Sequence, residues 1–320
     1  MKAPATSRIF GLHCLVLALF FGLQYVLPEY HQLAMTRVMV LAVFAMGYNL
    51  LFGYTGLLSL GHALFFSSGL YGAGLAAYHL EWSVPAAFAA GIGTGLVVSF
   101  IIGLISLRTT GVAFMIVTLM FSQVAYLASL YFSEWTRGEE GLMLPQAARG
   151  FEFMGGFVDL TDAATRYNIA FALMSITLLI TYLLISSPAG RVLVAVRENE
   201  PRAIMLGYNT FRLKLIALTI SGTLCAMAGA AYALLFAYVG SSFGSIQYSI
   251  EALLFTLLGG AGTLLGPILG TVSMFYIIDF ASEHTSAYML VTGVALVFLV
   301  LFFPKGVLGS IRERWLPWLP

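Results

Sequence analysis

The stretch VRENEPRAIMLGYN, residues 196–209, sets two arginines, two glutamates and a proline between two long apolar blocks. The charged fraction of the whole chain is only 9% and the hydrophobic fraction 60%, so such a cluster marks a place where the chain leaves an apolar phase. A helix needs about 20 mostly apolar residues to cross the hydrocarbon core of a bilayer. The blocks on either side, near 167–186 and 213–238, are each that long.

Further apolar runs of spanning length lie near 10–28, 36–53, 57–79, 84–107, 111–132 and 287–303. The region 249–280 holds two passes only if both are short, because GGAGTLLGPILG (259–270) at its centre carries helix-breaking glycines and a proline. It reads as two short helices or a re-entrant pair. Mean hydropathy of +0.94 with 33 glycines excludes both a soluble domain and a disordered chain. The expected fold is all-α: one polytopic transmembrane helix bundle over residues 1–320, with about 8–10 spans and a broken or re-entrant helix pair near 249–280. Cys14 and Cys225 both sit in apolar runs, so no disulfide framework is expected. Lys2 and Arg8 before the first run also fit a signal peptide. That run nevertheless exceeds the roughly 7–15 residues of a signal core and no Ala-x-Ala site follows, which favours a retained helix.

Alternating the spans from an inner N-terminus places Lys2, Arg8, Arg108, Arg191, Arg197, Arg202, Arg212, Lys214, Lys305, Arg312 and Arg314 on the cytoplasmic side, out of 15 basic residues. Only Arg37, Arg137, Arg149 and Arg166 fall outside. This is the positive-inside pattern. It makes 187–212 a cytoplasmic loop and 133–166 an outer loop, and it puts both termini in the cytoplasm. Trp82, Trp315 and Trp318 near predicted span ends fit interfacial belts.

The chain lacks GxxxxGK[ST], HExxH, a CxxC pair and GxSxG, and its five histidines are scattered. An intramembrane enzyme or a nucleotide-cradling subunit is therefore disfavoured. The predicted spans carry almost no charge, with Glu251 and Asp279 at predicted outer ends, so an internal proton relay is disfavoured too. A transporter driven by a separate ATPase fits better. An ion-coupled carrier, or a passive channel for a small polar solute such as an amide or urea, remains the alternative.

Between Arg197 and Gly207 the local signals describe a helix of about two turns. Asn199 can cap it, Pro201 suits its first turn, Glu200 favours the positive end of its dipole, and Gly207 followed by Asn209 can supply the left-handed stop. Ala203, Ile204 and Leu206 would then be available to a partner. A helix this short is marginal alone in water. It is either a docking element or an ordinary charged loop.

Several stretches resemble the LivM-type permease subunits of the branched-chain amino acid ABC transporter family. They are NLLFGYTGLLSLGHALFFSSGLYGAGLAAY (49–78), AVRENEPRAIMLGYNTFRLKLIALTISGTLCAMAGAAYA (195–233), GGAGTLLGPILG, TRGEEGL (136–142) and FPKGVLG (303–309), in the family's order. The resemblance implies an importer of the bacterial inner membrane, with branched-chain or other hydrophobic amino acids as the substrate. It also implies two ATP-binding subunits carrying ATP and magnesium, a second related permease subunit and a substrate-binding protein outside. No cofactor binds this chain itself, and no nucleic acid is implied. The family's coupling element, often Glu-Ala-Ala followed by a glycine, is matched at Gly207, whereas Pro201, Arg202 and Ala203 stand where the three-residue motif would be. The ATPase-coupling residues are accordingly expected among Arg197, Glu198, Asn199, Glu200, Arg202, Ala203 and Gly207.

In GLLSLGHALFF the glycines at 53, 56 and 61 favour a broken helix or close backbone approach. Asn49, Ser59, Gly61 and His62 are expected either to face the translocation pathway or to bond helix to helix. Gly262, Gly266 and Gly270 share a four-residue spacing that suits tight packing beside a kink at Pro267, and Gly91 with Gly95 reads as another packing pair. Glu139 and Glu140 either receive the binding protein through complementary charge or belong to a solvated loop.

Overall fold

A computed structural model of the chain describes residues 4–145, 149–153, 156–285 and 306–314, with isolated positions between 287 and 301. Helices α1 (Pro4–Leu23), α2 (Glu29–Asn49), α3 (His62–His79), α4 (Val84–Ser106) and α5 (Val112–Tyr131) come first, followed by the one-turn α6 (Ser133–Thr136). Helices α7 (Ala163–Ser186), α8 (Pro188–Glu198), α9 (Glu200–Met205), α10 (Thr210–Phe236), α11 (Ile246–Gly259) and α12 (Gly266–His284) follow. A last described helix runs over Gly306–Arg314. The expected span 287–303 lies almost wholly outside the described residues, as do Lys2, Lys305, Trp315 and Trp318.

Among the described residues five helices are long and apolar enough to cross a membrane: α2 with its extension to Tyr54, α4, α5, α7 and α10. Their burial sorts them. The apolar window of α2 is 89% buried and that of α10 67%, against 22% for α4 and α5. A central α2–α10 pair is therefore wrapped by α3, α4 and α7, and exposed residues such as Phe100, Met120, Val124 and Leu183 give the bundle an apolar outer surface.

Small residues allow this close approach. A Cβ on Gly69 or Gly95 would overlap Ala226, and one on Gly91 would lie 2.6 Å from the Ala230 Cβ, so α3, α4 and α10 touch backbone to backbone. The expected Gly91–Gly95 packing pair is thus present. Gly266 and Gly270 likewise seat α12 on α11. The kink expected at Pro267 is absent because the proline occupies the first turn of α12, where its missing N–H costs nothing. Gly262 is likewise not on that helix face; it lies in the α11–α12 turn with φ +74°.

Two boundaries differ from expectation. Arg37, read as an outer residue, lies within α2, because that helix starts at Glu29. The apolar run 57–79 is not one helix. The end of α2 loosens into a π-turn over Leu50–Tyr54, the chain is non-helical up to Gly61, and α3 starts at His62.

The 133–166 loop is not merely irregular. Strand β1 (Leu142–Met143) pairs antiparallel with β4 (Tyr238–Val239) at the end of α10, and β2 (Gly150–Phe153) forms a hairpin with β3 (Gly156–Asp159). Asp162 caps α7 by accepting from the Thr165 N–H at 2.9 Å, and that bond holds its carboxyl below the usual carboxylate range.

Candidate functional site

The 187–212 segment is built by three successive caps. Ser187 caps α8 by accepting from the Gly190 N–H at 3.2 Å, Asn199 caps α9 by accepting from the Arg202 N–H at 3.0 Å, and Asn209 caps α10 by accepting from the Arg212 N–H at 3.0 Å. Pro201 sits in the first turn of α9 and Gly207 ends it at φ +88°, as expected. Asn209 does not serve the stop; it opens the next helix. A Cβ on Gly207 would meet open space, so this glycine is required for its left-handed backbone alone.

Alpha9 is held to its neighbours by a 2.6 Å ion pair between Glu200 and Lys214, and its outer face is apolar: Ile204 is 55%, Met205 80% and Leu206 70% exposed. Ala203, expected on that face, is buried. A six-residue helix has room for only one inward position, and Ala203 takes it against α8 and α10. Arg202 remains exposed. Met205 and Tyr208 complete the surface and were not singled out by sequence, since only the helix orientation reveals which side of α9 is open.

Arg197 points the other way. Its Nη1 donates to the Gly53 carbonyl oxygen, freed where α2 breaks, and its Nη2 pairs with Glu198 at 2.6 Å. A Cβ on Gly56 would lie 2.6 Å from the Arg197 Cγ, and one on Gly262 would lie 3.2 Å from its Nη1. The arginine therefore wedges between the broken end of α2 and the α11–α12 turn. Asn49 closes the same junction. Its Oδ1 accepts from the Gly262 N–H and its Nδ2 donates to the Thr263 carbonyl, both at 2.9 Å. Three stretches far apart in sequence, 49–61, 195–209 and 259–270, thus meet at one node. Each supplies a group that a helix end or turn would otherwise leave unpaired.

Deeper in the bundle, Ser221 donates its hydroxyl to the Gly47 carbonyl at 2.6 Å and accepts from His62 Nε2 at 3.0 Å, a pairing that fixes the imidazole proton on Nε2. Tyr48 donates to the Ser59 carbonyl at 3.1 Å, and the Ser59 hydroxyl accepts from the Gly61 N–H at 3.2 Å. A Cβ on Gly61 would press on the Thr118 backbone. Asn49, Ser59 and His62 are all buried; in this arrangement His62 bonds α3 to α10, Asn49 bonds α2 to the α11–α12 turn, and the Ser59 hydroxyl bonds within its own linker. Glu139 and Glu140 are exposed on the 133–166 loop, at the opposite end of α10 from the node.

A bundle of apolar helices with a discontinuous central helix, a paired short helix turn and an exposed apolar helix at one end has the layout of a membrane transport subunit. A family model described as "Branched-chain amino acid transport system / permease component" matches residues 32–303, and the chain belongs to that family. It is a transport permease subunit, a multi-pass membrane protein and not an enzyme. The LivM permease protein of the high-affinity branched-chain amino acid transport system of Salmonella typhimurium is 28% identical over 87% of this chain and 70% of its own length. The LivM protein of Escherichia coli is 27% identical over the same shares. The LivH permease protein of Escherichia coli is 24% identical over 84% of this chain and 91% of its own. No solved structure matches the chain significantly.

Proposed function

We propose that this chain is one of two permease subunits of an ATP-driven importer for branched-chain or other hydrophobic amino acids in a bacterial inner membrane. In this reading the 187–212 loop and both termini are cytoplasmic. Two ATP-binding subunits, which carry the ATP and magnesium, dock on the cytoplasmic side of the permease pair, one of them on α9 of this chain, and an outer binding protein delivers the solute near Glu139 and Glu140. Asn49, Ser59, Gly61 and His62 form the inner part of the pathway in a closed arrangement, with polar atoms engaged by Gly262, Thr263, Ser221 and the local 59–61 turn until the helices separate.

The observation that carries the reading is the open face of α9. Three adjacent apolar side chains project from a capped helix into what is otherwise charged loop, a pattern that marks a protein interface. The helix before it, α8, packs against α9 and is tied through Arg197 to the break in α2, so force applied to α9 has a path into the bundle through α8.

The test is to replace Ile204 and Met205 by aspartate in the assembled transporter. Loss of interface anchors worth about 2 kcal/mol or more predicts at least a roughly thirtyfold weaker retention of the ATP-binding subunits, with membrane insertion of the permease unchanged. Retention and solute-stimulated hydrolysis at the level of the unmodified protein would place the docking surface elsewhere.

A further inference from the structure

At the end of the bundle opposite α9, a cavity of about 660 Å³ opens between α2, α11 and α12. Its charged groups are Arg37 of α2, Glu251 of α11 and Asp279 of α12; Gln247, Tyr248 and Ser282 add neutral polar groups, and aliphatic side chains such as Leu41, Leu254 and Ile278 form one part of its wall. Arg37 lies about 12 Å along α2 from its start, taking 1.5 Å per residue, at an exposed position directly before a fully buried run from Val38. Its guanidinium carbon stands 5.7 Å from the centroid of the Tyr232 ring. Arg37 and Glu251 are close enough to act on each other electrostatically, yet among the described residues they form no direct ion pair. The Asp279 carboxylate is partly engaged, receiving the Tyr30 hydroxyl at 3.1 Å from each oxygen.

Charges inside a membrane bundle are costly unless they pair or face water, and they mark ligand pathways when they do the latter. Here opposite charges line one cavity without neutralising each other directly, beside an aliphatic wall. A neutral sugar, urea or amide would use neither charge, and a simple anion or cation only one sign. A zwitterion with an apolar side chain uses a charge of each sign and the aliphatic wall. Its carboxylate meets Arg37, whose donor fork suits that shape, its ammonium meets Glu251, and its side chain rests on Leu41, Leu254 and Ile278.

We propose that this cavity is the outward-facing site that receives the transported amino acid, with Arg37 as the carboxylate anchor and Glu251 as the ammonium anchor. The assignment rests on the importer reading above and deepens it.

The experiment uses the complete transporter in vesicles, with Cys14→Ser removing the exposed thiol, Cys225 being buried, and I250C placing a thiol in the cavity wall, where Ile250 is 39% exposed. A membrane-impermeant, charged methanethiosulfonate should modify that thiol. Leucine should slow the modification, while leucinamide and 4-methylpentanoate, each lacking one charge, should need at least roughly tenfold more for equal protection. Adding Arg37→Gln should raise the leucine requirement by a similar factor and abolish its advantage over leucinamide, whereas Arg37→Lys should retain both. No modification in the assembled complex would mean that the second permease or lipid covers this face, and would overturn the proposal. Equal protection by all three compounds, or by none, would overturn it as well. If phenylalanine but not leucine protects, and does so through Arg37, the cavity assignment stands and the branched-chain reading falls.

Discussion

Replacing Arg197 by methionine removes the donor to the Gly53 carbonyl while keeping most of the stem that packs on Gly56. A hydrogen bond to a charged group is worth about 1.5–3 kcal/mol. The Arg197 side chain is 35% exposed, so water replaces part of that bond and about 1–2 kcal/mol is the appropriate range. The neighbouring pair with Glu198 adds little, since that glutamate is 67% exposed. A loss of 1–2 kcal/mol shifts an equilibrium by about 5- to 30-fold. The open face of α9 is untouched, so partner ATPases should still bind and hydrolyse while the movement reaching α2 is lost. The assay is solute moved per ATP hydrolysed by the complete transporter in vesicles, and the ratio should fall by about 5- to 30-fold. Gly56→Ala disturbs the same contact from the other side, through the Arg197 Cγ and a φ of +75°. The two changes should therefore combine to less than the sum of their effects. An unchanged ratio in Arg197→Met, or full additivity with Gly56→Ala, would refute the link.

Asn49→Leu deletes both bonds to the α11–α12 turn and leaves the Gly262 N–H and Thr263 carbonyl without that partner. A loss of about 2–4 kcal/mol is expected, read as a thermal midpoint lower by several degrees, with Asn49→Asp intermediate because it keeps the acceptor. Charge reversal of Glu139 and Glu140 to lysine should slow association with the binding protein by roughly tenfold at low salt and little at high salt; insensitivity at both would make the pair a solvated loop. Asp162→Ala should cost about 1 kcal/mol at the start of α7 at neutral pH, measured as faster amide exchange at Thr165. The folded carboxyl lies below its ordinary 3.8, so the cap's contribution is present above that value and is lost as pH falls through the folded value. The difference between the two proteins should vanish with it, and equal exchange at neutral pH would remove the cap from the account.

The short docking helix was legible because its signals are local. Asn199, Pro201 and Gly207 each act within one turn, so cap, first turn and stop could be read without knowing the fold. The break after Asn49 was legible for the same reason, through glycines at 53 and 56. What Asn49 and Arg197 bond to was not, because the partners are backbone groups up to 214 residues away, and any peptide N–H or carbonyl looks the same in sequence. Arg197 reads as one more loop charge until α8 is oriented, and Ala203 reads as exposed until α9 has an inner side. The β1–β4 pair escapes because two-residue strands carry no periodicity. Arg37 was misplaced by about two turns, since hydropathy counts Glu29–Arg37 as interface where the helix has already begun.

The junction at Asn49 also constrains how the protein is made. Helix α2 is synthesised early, yet its polar end is completed by Arg197 and by Gly262, the latter 213 residues later. At about 5–20 residues per second that interval is roughly 10 to 40 seconds. Throughout it the Asn49 amide lacks its final partners, and the Gly53 carbonyl lacks Arg197 until 144 residues after its own synthesis. Chains stopped between residues 60 and 190 should therefore sit in the membrane as incomplete substrates for quality-control proteases, and release from that surveillance should coincide with arrival of the 260–265 turn.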